Sequence, residues 1–170
     1  MPDSRVRRTV VLGLGNPLMG DDGFGLAVLE RLREEWHIPG TVELVDGGTW
    51  GMNLLPLIED ATELLLVDAI RTRAPAGTLI ELERDRLPRY LAHKLSPHQI
   101  DLKEVLALAE LRGTLPDKTV AIGAEPGEVV LSTFLTPPLA DAVQPVLRAV
   151  LARLAAWGHS CLSRQVAASA

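Results

Sequence analysis

Asp22, Asp46, Asp68 and His98 are the side chains of this 170-residue sequence whose types and positions could act together on a ligand. Asp22 stands in LGLGNPLMGDDGFGLAVLERL, residues 12–32, where a glycine-rich turn of the kind that cradles phosphate runs into two adjacent carboxylates, Asp21 and Asp22. Gly13 and Gly15 follow an apolar run and precede a helical pattern, as in a dinucleotide turn. The third glycine of G-x-G-x-x-G, however, falls on Leu18, and Asp46 lies well beyond the roughly 20-residue spacing expected for the acidic partner. Charge weighs most: a helix N-terminus attracts anions, and a pyrophosphate would meet two carboxylates there. The pair suits a cation, or one of the two caps the helix and the other is spare. Asp68 ends the apolar run LLLVD and brings a charge to the rim of a sheet, where an ion pair, a cap or a bound cation must compensate it. Asp46, in VDGGTWG, has the same relation to a neighbouring strand, although Gly47-Gly48 also suits a plain Asx-type turn. His98 is placed in the first turn of a helix, whose dipole keeps an imidazole neutral with a lone pair for a metal; Asp101 opposes this, and a merely exposed histidine is the plain alternative. His37, His93 and His159 fall in polar or terminal stretches and are read as solvated. No G-x-S-x-G elbow and no H-E-x-x-H pair is present, so neither an ordinary serine hydrolase nor an ordinary zinc peptidase fits.

The elements that must position these groups alternate between short β-branched runs and longer segments with helical spacing, an α/β pattern. Strands are expected at 9–14, 41–46, 63–70, 77–83 and 118–124. The third, apolar at nearly every position, is the central one, and the fourth, with weak alternation, is an edge. Helices are expected from Asp22 to Trp36, with Leu29, Leu32 and Trp36 on one stripe, and around 50–59. A third runs through SPHQIDLKEVLALAEL, with Ser96 as N-cap, Pro97 at the first position and Gln99 completing a capping box. The last opens at Thr136-Pro137 and runs to Trp157 with a bend at Pro145. Residues 84–95 read as a loop with a short helical turn. The sum is a three-layer α/β/α sandwich around a five-stranded, largely parallel sheet, in which ligands bind beyond the carboxyl ends of the strands. It forms one α/β domain over 1–159, followed by a tail over 160–170 that is expected to be disordered.

Composition narrows the partners. The formal net charge is −5, and the longest basic run is Arg7-Arg8, so neither nucleic acid nor an anionic membrane is an expected partner. A single cysteine, Cys161, excludes an internal disulfide framework, a zinc knuckle or a CxxC pair, and a reducing cytoplasm fits. The apolar stretch TVVLGLG is too short for a signal-peptide core, and no run approaches the ~18 residues of a membrane span.

Taken together, GLGNPLMGDDGFG, DGGTWG, LLLVDAI, KLSPHQ and AIGAEP...LTPPLADAV, in this order and spacing over residues 9–157, resemble the hydrogenase maturation endopeptidases. The resemblance implies removal of a short C-terminal extension from the precursor of the [NiFe]-hydrogenase large subunit after nickel insertion. It also implies a metal site of Asp22, Asp68 and His98, with Asp46 in support; many relatives carry Glu where Asp22 stands. Two carboxylates and one imidazole leave coordination positions open and suit Ni²⁺ or Zn²⁺ alike. The family favours nickel, brought by the precursor on its cysteines, with zinc or cadmium as surrogates. A non-catalytic nickel-site checkpoint or carrier built on the same three residues is the competing expectation.

Overall fold

The computed structural model describes residues 6–48, 51–87 and 102–167. In chain order the elements are β1 (Thr9–Gly13), a 3-10 turn (Gly20–Gly23), α1 (Phe24–Glu35), β2 (Trp36–His37), β3 (Val42–Asp46), and a 3-10 turn (Gly51–Leu54) leading into α2 (Leu55–Asp60). There follow β4 (Glu63–Ala69), β5 (Leu79–Glu83), a 3-10 turn (Arg84–Arg86), α3 (Leu102–Leu111), β6 (Lys118–Ala124), α4 (Pro137–Ala156), β7 (Leu162–Ser163) and α5 (Arg164–Ala167).

The strands with continuous apolar runs lie in the middle of the sheet, where both faces are covered. The order is β3-β1-β4-β6-β5, with β5 at the edge, antiparallel to β6, and every other pair parallel. Successive side chains go to opposite faces, so Val11, Leu65, Val67, Val120 and Ile122 pack with α1 and α4. Val10, Leu12, Leu64, Leu66 and Ala121 pack on the other side with Ile58 of α2 and Val105, Leu106 and Ala109 of α3. This is the three-layer sandwich that the sequence led us to expect, with the strand at 118–124 in its expected place.

Differences from expectation are local. Asp22 lies in the 3-10 turn, and α1 begins at Phe24. Trp36 leaves the helix to open β2, while still packing against the core that holds Leu29 and Leu32. Pro145 lies inside an unbroken α4. Residues 160–170 do not run free throughout: Leu162 and Ser163 pair antiparallel with His37 and Trp36, and Arg164–Ala167 form a helical turn. The capping box at Ser96, Pro97 and Gln99, and His98 within it, lie outside the described residues, as do Thr49, Trp50 and His93.

His159 corrects the reading of that histidine as solvated. It is buried at the amino end of the sheet, where Nε2 meets Thr9 Oγ1 at 2.8 Å and Glu63 Oε2 at 2.9 Å, and Nδ1 meets Thr41 Oγ1 at 3.0 Å. Glu63 also receives Arg7 and Lys118, at 2.9 and 2.8 Å. Burial alone would raise this carboxyl's pKa, but the hydrogen bonds from Arg7, Lys118, Thr9 and His159 lower it to about 2. This cluster closes the end of the sheet opposite the candidate site.

Candidate active site

The chain leaves β1 for β3 on one side and later crosses to β4 on the other, so the strand order reverses between β1 and β4. In open α/β sheets a crevice forms beyond the carboxyl ends at such a point. Asp22 follows β1 and Asp68 is the last but one residue of β4, so these expected site residues belong to the two strands between which the order reverses.

The turn after β1 is built to bring its carboxylates back to the strand end. Leu14 N–H donates to Val67 O at 2.9 Å, which keeps the chain on β4 just past the strand. Gly15 then takes a φ of 110°, and a Cβ there would lie 1.7 Å from Asp22 O, so no other residue fits. Asp22, half-buried, accepts the Asn16 N–H through Oδ2 at 3.0 Å. Among the described residues no ion pair engages its carboxylate.

Asp68 is fully buried, and its Oδ1 accepts the Ala69 N–H at 2.9 Å. It shares the parity of Leu66 and Ile70, whose side chains lie in the layer of α2 and α3, and not that of Val67 and Ala69. The strand side that carries Asp68 is therefore the side on which α3 packs, the helix that follows His98 in sequence. Opposite Asp68 on β6 stands Gly123, where a Cβ would come within 1.8 Å of Asp68 O.

Asp46 ends β3 in register with Gly13 and is exposed; its Oδ1 accepts the Gly48 N–H at 3.0 Å, closing the Asx-type turn that Gly47-Gly48 allowed. Gly47 N–H in turn donates to Gly13 O at 2.8 Å, which ties this turn to β1.

Asp21 has a different task from the one the sequence offered, since no side chain caps α1. It is fully buried and gathers four hydrogen bonds from the segment after β6: the N–H groups of Gly127, Glu128 and Thr136, and the Thr136 hydroxyl, at 2.7–2.9 Å. Burial pushes its pKa up, and the donors from Thr136, Glu128 and Gly127 outweigh this and hold it below the usual carboxylate value. Sequence reasoning also missed Glu125, buried just past β6, whose Oε2 accepts the Thr72 N–H and hydroxyl at 2.6 and 2.9 Å and so fixes the loop after β4. A charged residue straight after an apolar strand was the available signal, the same one that singled out Asp68.

Among the described residues no group of three or more His, Cys, Asp or Glu side chains is placed to hold a metal ion; of the three expected ligands, Asp22 and Asp68 are described and His98 is not. Asp22 and Asp68 thus stand at the strand-order reversal, and the turn that carries Asp22 lacks the glycine pattern for phosphate.

Residues 26–153 match a family described as hydrogenase maturation protease. The chain belongs to the hydrogenase maturation protease family. It is 35% identical over 159 residues to the hydrogenase 2 maturation protease of Escherichia coli K12, covering 93% of this chain and 97% of that one. It is 37% identical over 160 residues to the hydrogenase expression/formation protein HupD of Rhodobacter capsulatus, covering 93% and 76%. The solved structure of the hydrogenase maturating endopeptidase HybD from E. coli superposes with a TM-score of 0.87 at 34% identity, covering 93% of this chain and 98% of that one. This maturation protease is thus a peptidase, and the expectation of a non-catalytic carrier is set aside. No helix among the described residues is long and apolar enough to cross a membrane.

Proposed function

We propose that this protease removes the C-terminal extension of a [NiFe]-hydrogenase large-subunit precursor once nickel has been inserted, and that it recognises the nickel carried by that substrate. The observation that supports the reading is the position of Asp22, after β1, and Asp68, near the carboxyl end of the adjacent parallel β4, at the point where strand order reverses. Asp22, Asp68 and His98 offer two carboxylates and an imidazole to the incoming ion, and the precursor's own cysteines complete its coordination. A set of three ligands with two hard oxygens and no thiolate makes a modest site by itself, so affinity rises when substrate and metal arrive together. Zinc or cadmium can occupy the same donors as surrogates. The Asp46 turn supports the Asp22 turn through the Gly47–Gly13 hydrogen bond. The ion can polarise a carbonyl or activate water at the bond to be cut, both ordinary roles of a divalent metal. With a single cysteine and no need of a disulfide, the protein fits a reducing cytoplasm, where such precursors would meet it.

Chelator-washed protein incubated with nickel-loaded and nickel-free precursor provides the test, with loss of the C-terminal peptide followed by mass. The loaded form is shortened, the nickel-free form survives, and His98→Ala or Asp68→Asn abolishes shortening. Efficient cutting of nickel-free precursor, or activity restored to the washed protein only by zinc, would instead mark an autonomous metalloprotease.

A further inference from the structure

We infer that the segment 126–135, together with Leu18, is a preformed docking platform for apolar side chains of the protein substrate next to the bond to be cut. The inference rests on the reading of this chain as a processing protease of a hydrogenase precursor. Leu131 is 85% exposed, Phe134 79%, Leu18 56% and Val130 51%, and Val129 is partly exposed beside them. Single exposed apolar residues are ordinary on a soluble protein; a run of them on one short segment marks a contact surface.

A loop carrying such residues without purpose would be free to fold them inward, and this one is fixed. The four hydrogen bonds to Asp21 hold it at Gly127, Glu128 and Thr136. Between these points Gly20 N–H donates to Ser132 O at 2.7 Å, Ser132 N–H donates to Leu18 O at 3.0 Å, and Phe134 N–H donates to Ser132 Oγ at 3.1 Å. Gly20, at a φ of 58°, lies so close that a Cβ would stand 3.1 and 3.2 Å from the Glu128 and Val130 carbonyl oxygens. The backbone that carries the apolar side chains is thereby attached to the same turn that carries Asp22, and the cost of ordering that backbone is met on folding and not on binding.

The occupant follows from this continuity. A polypeptide whose scissile bond reaches Asp22 must pass the loop that carries it, and that loop bears the exposed Leu18 and is bonded to Ser132 between Leu131 and Phe134, so the side chains that seat there are apolar as well. A second copy of this chain on the same face would obstruct the crevice that a protein substrate has to enter.

The test uses the full-length protease, Leu131→Ser and the double variant Leu131→Ser/Phe134→Ser, with nickel-loaded precursor as substrate. Exposed positions leave the thermal midpoint unchanged. The double variant raises KM about tenfold or more with kcat retained, as loss of contacts made equally in ground and transition states requires. Leu131→Met/Phe134→Leu keeps the wild-type KM. Normal processing with an unchanged KM in the serine variants overturns the platform and leaves the site reading intact. Wild-type protein that shortens neither nickel-loaded nor nickel-free precursor overturns both. Wild-type self-association in sedimentation that the serine variants abolish assigns the face to a second copy and overturns the inference.

Discussion

Asp21 and Glu63 are carboxylates buried at opposite ends of the sheet, and each is held ionised by donors gathered from distant parts of the chain. For Glu63 this makes a pH-dependent contribution to stability. Its folded pKa of about 2 lies below the unfolded value of 4.5, so the contribution is fully present above about pH 4.5 and is lost as pH falls through 2. Arg7 and Lys118 are about half exposed, and solvent screening trims the sum to about 2–3 kcal/mol at neutral pH. Glu63→Gln should lose that amount in urea unfolding at pH 7, with the gap to wild type shrinking to roughly half or less at pH 3. An equal gap at both pH values would mean that the residue acts by packing alone. Asp22 and Asp68 follow or end the two strands between which the order reverses, and the proposed site is built on them.

At the scale of elements, the junction of α1 with the sheet sets where Asp22 stands. Gly25, in the first turn of α1, is pressed so closely on the strand ends that a Cβ would come 2.1 Å from Val67 O and 2.6 Å from Leu14 O. Both are backbone atoms, one carrying the Leu14–Val67 hydrogen bond, so neither can turn aside as a side chain would. Gly25→Ala should therefore displace the start of α1 and the 3-10 turn before it, costing about 1–3 kcal/mol. Processing should fall further than stability, because the shift reaches Asp22 directly. The check is a thermal midpoint beside a processing rate under conditions where the variant is fully folded; a normal rate there would show that the turn is held independently of α1.

On the scale of the whole molecule, one sheet serves both cores, since β1, β4 and β6 send alternate side chains to each face. Neither helical layer has an apolar surface to pack on without those strands. Unfolding should therefore be one cooperative event, with the fluorescence of Trp36 and Trp157, which pack on the α1/α4 side, tracing the same urea transition as far-ultraviolet circular dichroism. Separate transitions would show that the two layers come apart independently. The sequence by itself determined the parts of this architecture that are local. A continuous apolar run marked β4 as the central strand, and a carboxylate ending such a run had to stand at the rim, because the strand carries it there whatever the rest of the chain does. It also determined the family, through five short segments in order. Only the tertiary structure decided what the neighbouring carboxylate does: Asp21 finds its donors at Gly127, Glu128 and Thr136, more than a hundred residues away, and no local pattern distinguishes it from Asp22. The same holds for His159, polar and near the end in sequence yet buried against Thr9 and Glu63, and for the pairing of Leu162 and Ser163 with β2. Periodicity records which face a residue turns inward, but partners from remote segments are chosen only when the layers close and each buried polar group must find its counterpart.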